Sequence, residues 1–116
     1  MSDFSKPGDV LLADCPARLA VEVIADKWAV VVVYALSRGP RRHGELVDLI
    51  GGISRKVLTQ TLRRLERHGL IVREPRLYAL TPLGEGLIGP ITSLTAWAEE
   101  HGYAVLESQD TFDALR

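Results

Sequence analysis

The residues best suited to chemistry lie between Ser54 and His68. Val57, Leu58, Thr61, Leu62 and Leu65 recur at three- and four-residue spacings, so a helix over this stretch would turn them to one side, toward a core. The opposite side would carry Arg55, Lys56, Thr59, Gln60, Arg63 and Arg67. Cationic and hydrogen-bonding side chains in that pattern suit a helix lying in the DNA major groove, with its first turn at base edges and its arginines at phosphates or guanines. Ser54 supplies a hydroxyl N-cap. Arg55 and Lys56 stand in the first turn, where positive charge opposes the helix macrodipole by roughly 0.3–1 kcal/mol each. A residue placed against its local preference points to a functional demand. The plainer alternative is a basic face that only solvates the helix; what precedes and follows it argues for DNA. Arg64 sits nearer the buried edge and is a weaker phosphate candidate.

Other reactive side chains form no constellation. His43, His68, His101 and Cys15 are far apart and lack the paired spacing of a metal site. No base or orienting partner accompanies Cys15 or any serine in a local catalytic motif, so neither enzyme chemistry nor a cofactor is expected. No glycine-rich phosphate loop appears, and Gly51-Gly52 reads as a turn between two helices.

The elements that must position the basic helix follow from breakers and caps. Met1 to Asp9, with Pro7-Gly8, reads as a flexible arm. Pro16 opens a first helix capped by Asp14 or Cys15, with Leu19, Val23 and Ile24 as its apolar stripe. Asp26 caps a second helix to about Ser37. Its run Trp28 to Tyr34 is β-prone, but some twelve residues without a breaker favour helix. Gly39-Pro40 ends it. A short extended piece at Arg41 to His43 precedes a helix from Gly44 to Ile50, the glycine turn, and the helix closed by Gly69. Leu70 to Arg73 and Leu77 to Leu80 are two strands joined through Glu74-Pro75. Pro75 fits neither position of the usual two-residue hairpin turn, which predicts an irregular tip. Thr81-Pro82 starts a long final helix to about Glu107, kinked at Pro90, and 108–116 is expected to fray. The fold class is therefore mainly α with a small β-hairpin (α+β): one winged helix-turn-helix domain over 10–107, ending in a long dimerisation helix.

Leu83, Leu87, Ile91, Leu94, Ala98 and Val105 line that last helix, and Trp97 and Tyr103 add aromatic surface. One protomer has few elements to cover this stripe together with the first helix. A two-fold interface involving Leu19, Leu87, Ile91, Leu94 and Trp97 is the expected cover, with an intramolecular core as the alternative.

The 116 residues carry a formal net charge of -1 and a single cysteine. The charge is unevenly placed. Arg38 to Arg76 holds ten Lys/Arg against four Asp/Glu, a formal +6, and the remainder is -7. A basic middle segment is the electrostatic footprint of a phosphate-binding surface, although a solvated face would look the same on charge alone. No apolar run approaches the ~20 residues of a membrane span. With one thiol and no signal-peptide pattern at the start, the expected location is the cytoplasm.

Several ordered blocks resemble one family. Cys15-Pro16, Asp26-Lys27-Trp28, Gly39-Pro40-Arg41-Arg42-His43-Gly44-Glu45-Leu46 and Gly52-Ile53-Ser54-Arg55-Lys56-Val57-Leu58-Thr59-Gln60 are similar to HxlR-type regulators. So are Leu62-Arg63-Arg64-Leu65-Glu66-Arg67-His68-Gly69-Leu70-Ile71, Tyr78-Ala79-Leu80-Thr81 and Leu83-Gly84. The resemblance implies a sequence-specific, DNA-binding transcription regulator that acts as a homodimer on an inverted-repeat operator. Arg42, just before the third helix, joins Ser54, Arg55, Lys56, Thr59, Gln60, Arg63 and Arg67 in the candidate DNA-binding set. Asp26 stands where the family usually has glycine, and His43 where it usually has an aromatic residue. The wing is shorter than usual, so a minor-groove contact does not carry over; Arg73 and Arg76 are phosphate or minor-groove candidates against simple exposure. Cys15 matches a cysteine that some such proteins use to sense oxidants or electrophiles and others keep as a helix cap. Lacking a second cysteine in the chain, a sensing disulfide would join two protomers or capture a small thiol. A winged-helix protein-interaction module without DNA binding is the alternative function.

Overall fold

The computed structural model describes residues 9–116; apart from Asp9, the expected N-terminal arm lies outside them. The valine-rich stretch forms α2 (Lys27–Leu36), and its sequence explains why. Asp26 Oδ1 accepts hydrogen bonds from the Trp28 and Ala29 amides at 2.9 and 3.1 Å, satisfying two of the donors a helix start leaves orphaned. Ala29, Val32, Val33 and Leu36 are buried, with Trp28, Val30 and Val31 packed around them. A helix apolar on most sides belongs at the centre of a domain, and burial overrides the β preference of its valines.

Around α2 lie α1 (Pro16–Ile24), α3 (His43–Leu49) and α4 (Arg55–Arg67). Cys15 is the N-cap residue of α1, with φ -72° and ψ 133°, but neither it nor Asp14 gives α1 a side-chain cap. At the start of α3 the Glu45 carboxylate accepts from the Arg42 amide at 2.8 Å. Ser54 Oγ accepts from the Val57 amide at 3.1 Å and starts α4. Between α3 and α4, Gly52 has φ +83°, a left-handed conformation that glycine adopts without strain. Leu46, Leu58, Leu62, Leu65 and Ile71 are among the most completely buried side chains, so the two helices of the turn and the first strand share one core.

The hairpin pairs β1 (Ile71–Glu74) with β2 (Leu77–Leu80), antiparallel, from Ile71↔Leu80 to Glu74↔Leu77. Its tip is thus a two-residue turn, Pro75-Arg76, shorter than a loop through Glu74-Pro75 would suggest. The described non-glycine residues have no positive φ, so this turn differs from the usual primed hairpin types. Arg41 bridges the free edge of β2, exchanging backbone hydrogen bonds with Tyr78 at 3.0 and 2.8 Å. The extended piece expected over Arg41 to His43 shrinks accordingly, because α3 already begins at His43.

The C-terminal region departs most from expectation. Thr81 caps a single turn, α5 (Pro82–Glu85), and the chain then restarts as α6 (Ile88–Ala114). Pro90 falls in the first turn of α6, where an amide hydrogen has no intrahelical partner, and the helical path is interrupted just before it, at Gly86-Leu87. The helix also continues through 108–114, which were expected to fray. Gly84 marks the tightest approach: a Cβ there would collide with the Leu70 carbonyl group, so α5 docks on the chain entering β1 only because that position lacks a side chain.

Candidate nucleic-acid interface

α4 is two-sided. Leu58, Thr61, Leu62 and Leu65 are buried, and the Thr61 hydroxyl is satisfied by the Val57 carbonyl at 2.9 Å. Arg55, Lys56, Gln60, Arg63 and Arg67 are exposed together on the other side. Arg42, at the N-cap of α3, is exposed as well. Together these residues give the helix-turn-helix a surface of guanidinium, ammonium and amide donors. Among the described residues none of these cations is ion-paired.

Three residues depart from this pattern. Ser54 is exposed, but its hydroxyl oxygen is committed as the N-cap acceptor. Thr59 is half-buried, and its hydroxyl lies 3.0 Å from His43 Nε2, so α3 and α4 are pinned across the turn by a side-chain hydrogen bond. Arg64, the weaker phosphate candidate, is turned away from this surface. One terminal nitrogen pairs with Asp26 Oδ2 at 3.2 Å and the other donates to the Glu22 carbonyl at 3.2 Å. Its guanidinium joins the recognition helix to the α1–α2 junction.

In the wing, Arg73 and Arg76 are exposed. The Arg73 guanidinium carbon lies 5.8 Å from the Tyr78 ring centroid, a cation–π contact across the hairpin that limits where the side chain reaches. Sequence reasoning missed the roles of His43, read there only as a departure from an aromatic, and of the Asp26–Arg64 pair. Each needs partners 16 and 38 residues apart, which a one-dimensional pattern does not reveal.

The HxlR-like helix-turn-helix family model matches residues 23–105, most of the described chain. The chain belongs to the HxlR-like helix-turn-helix family. The Escherichia coli K12 protein YtfH, an uncharacterized HTH-type transcriptional regulator, is 33% identical over 117 residues, covering 95% of this chain and 93% of its own. Among solved structures, ytfH from Salmonella typhimurium, described as a transcriptional regulator, superposes with a TM-score of 0.78 at 32% identity, covering 90% of this chain and 99% of that one. Quinone-bound YodB from B. subtilis gives a TM-score of 0.66 at 28% identity, covering 72% and 96%. This HxlR-type protein is accordingly a DNA-binding transcription regulator with a winged helix-turn-helix fold.

In this HxlR-type chain α1 and α6 leave much apolar surface uncovered. Leu19, Leu94 and Trp97 are each about half exposed, at 53%, 52% and 54%. An apolar groove of about 470 Å³ runs between α1 and α5, with Leu19, Val23, Leu83 and Leu87 among its walls. Ile91 differs from the other expected interface residues: at 4% exposure it belongs to the protomer's own core. The single helical stripe assumed in the sequence mixes inward and outward residues because α5 and α6 are separate helices. Cys15 is half-buried at the start of α1, beside this groove's Pro16. Among the described residues no cluster of metal-ligating side chains occurs, and no helix is long and apolar enough to cross a membrane.

Proposed function

We propose that the protein binds an inverted-repeat operator as a homodimer, each protomer placing α4 in a major groove. The observation carrying this reading is the exposed set Arg55, Lys56, Gln60, Arg63 and Arg67 directly opposite the buried leucines of the same helix. Arg63, Gln60, Lys56 and Arg55 are the base-reading candidates. Arg42, Arg67, Arg73 and Arg76 are the phosphate candidates. Ser54 and Thr59 hold helices in place and contribute through their backbone positions or by residual hydrogen bonding. A protein-docking helix would expose apolar side chains at this face, and this one does not, which disfavours the interaction-module reading.

The dimer reading rests on the uncovered apolar surface and on shape. The radius of gyration is 16.7 Å. A compact chain of this length would have about 13 Å. The excess reflects α6, about 40 Å long by its rise per residue and covered only at its beginning. Leu19, Leu87, Leu94 and Trp97 are the contact candidates.

Cys15 is proposed as a site of oxidant or electrophile response, supported by its position at a helix start beside the α1 groove and by the likeness to a quinone-bound regulator. The central test is fluorescence anisotropy on DNA flanking the gene. Wild type binds specifically, and a variant with alanine at Arg55, Lys56, Gln60 and Arg63 does not; equal binding by both overturns the assignment of α4. Exposure to a quinone should shift operator affinity in wild type and leave Cys15→Ser unchanged. An equal response in both, or in neither, removes Cys15 from the signal.

A further inference from the structure

A second groove, of about 430 Å³, opens between α2 and the C-terminal end of α3 and includes no residue of α4. Its walls include Trp28, Tyr34, Leu49 and Ile50, and Arg38 and Arg41 stand among the lining residues with no acidic one. Tyr34 and Leu49 are exposed, so this apolar surface meets solvent directly. Lys27, outside the lining, holds its ammonium 4.5 Å from the Trp28 ring centroid. Arg41 Nε donates to the Ala35 carbonyl at 3.2 Å, which holds the guanidinium by the groove. Among the described residues neither Arg38 nor Arg41 is paired with a carboxylate. The α1–α5 groove, in contrast, has an apolar lining whose only titratable member is His68, the character of a surface that receives another apolar surface.

We propose that the α2–α3 groove binds a small aromatic carboxylate that acts as an effector. The volume lies within the range of small-molecule sites, and such sites combine apolar and aromatic walls with a few polar groups that fix orientation. The rings of Trp28 and Tyr34 and the side chains of Leu49 and Ile50 receive the aromatic body. Arg38 and Arg41 receive the carboxylate, the planar anion that a guanidinium matches best.

The groove touches the parts that present α4. Trp28 reaches the helix-turn-helix turn, its Cη2 being 4.0 Å from the position a Cβ on Gly52 would occupy. Arg41 is bridged through its main chain to Tyr78 of the wing. A ligand seated here fixes the angle between α2 and α3 and so changes how α4 meets DNA. This coupling rests on the DNA-binding reading above; the binding site itself does not.

The test uses the full-length protein and 1-naphthoate as probe, with 1-naphthalenemethanol as its neutral isostere. Amide and indole NMR shifts map the contact, and calorimetry gives affinity. Expected are shifts at the Trp28 indole and the Tyr34 and Leu49 amides, with Trp97 unmoved, and binding of the alcohol about tenfold weaker. Arg38→Gln should weaken naphthoate but not the alcohol, and Arg38→Gln with Arg41→Gln should do so further. Arg38 is exposed and outside the core, so its variant carries the charge test even if the double variant does not fold. Equal affinity for acid and alcohol, shifts confined to the α1–α5 groove, or no shift at Trp28 at millimolar probe, as when a partner chain covers the groove, each overturns the site. Naphthoate binding that leaves operator affinity unchanged overturns the coupling, and this is read separately from whether the operator is bound at all.

Discussion

At Asp26 a single carboxylate serves two elements: one oxygen caps α2, and the other holds Arg64 of α4. These interactions are separable. Both partners of the ion pair are about two-fifths exposed, so solvent screens it to well under 1 kcal/mol, whereas removing a helix cap costs about 0.5–2 kcal/mol. Asp26→Asn should therefore change the thermal midpoint little, while Asp26→Ala lowers it by several degrees; similar midpoints for the two variants would refute the separation. On DNA the neighbouring arginines should diverge. Arg63→Ala should lose about 1–3 kcal/mol of operator binding and relax specificity at one base pair. Arg64→Gln should leave operator affinity unchanged in anisotropy titrations. Gly84 supplies a third prediction. Gly84→Ala places a methyl group onto the Leu70 carbonyl and should destabilise by about 1–3 kcal/mol or more in denaturant melts. Gly89→Ala, with nothing within 4 Å, should be neutral or slightly stabilising.

At the scale of the element, α6 tolerates Pro90 because of where it falls. The first α6 hydrogen bond is donated by Ile91, to the Leu87 carbonyl at 2.9 Å, so the missing proline amide hydrogen is not needed. Pro90→Ala should shift stability by no more than about 0.5 kcal/mol, compared with about 3 kcal/mol for a proline in a helix interior. A large change by circular dichroism melting would show that Pro90 has a role beyond the first turn. Farther along α6, Leu94 and Trp97 are half exposed in the protomer, so a charge there enters no protomer core. Leu94→Asp or Trp97→Asp should keep the helical circular dichroism signal and weaken self-association and operator binding together. Ile91→Asp should instead unfold the chain, because it buries an unpaired charge. If Leu94→Asp sediments like wild type, α6 is not the interface.

For the whole molecule, the uneven charge matters more than the net -1. A dimer neutralising about eight phosphates should show a log–log salt slope near -7. Truncating Arg73 and Arg76 in both protomers should reduce that slope only if the short wing reaches the backbone. A slope near zero would mean that binding does not release counterions and that the basic segment is only a solvated face.

The sequence by itself determined the order of elements as far as the hairpin and the cap at Thr81, because caps and breakers act locally. Asp26, Ser54 and Thr81 each cap the start of a helix, and the apolar spacing of the one after Ser54 is legible without any partner. It also determined the two-sided character of α4, since a 3.6-residue period separates Leu58, Leu62 and Leu65 from Arg55, Lys56 and Arg63. What required the tertiary structure was decided by contacts distant in sequence. His43 meets Thr59 and withdraws that hydroxyl from the exposed set; Asp26 meets Arg64 and turns a phosphate candidate into a brace. Gly84 meets Leu70 where the chain breaks into α5 and α6, which places Ile91 in the core and leaves Leu94 and Trp97 outside. Periodicity reports which residues share a face of a continuous helix; which neighbour that face meets, and whether the helix is continuous at all, is set by packing.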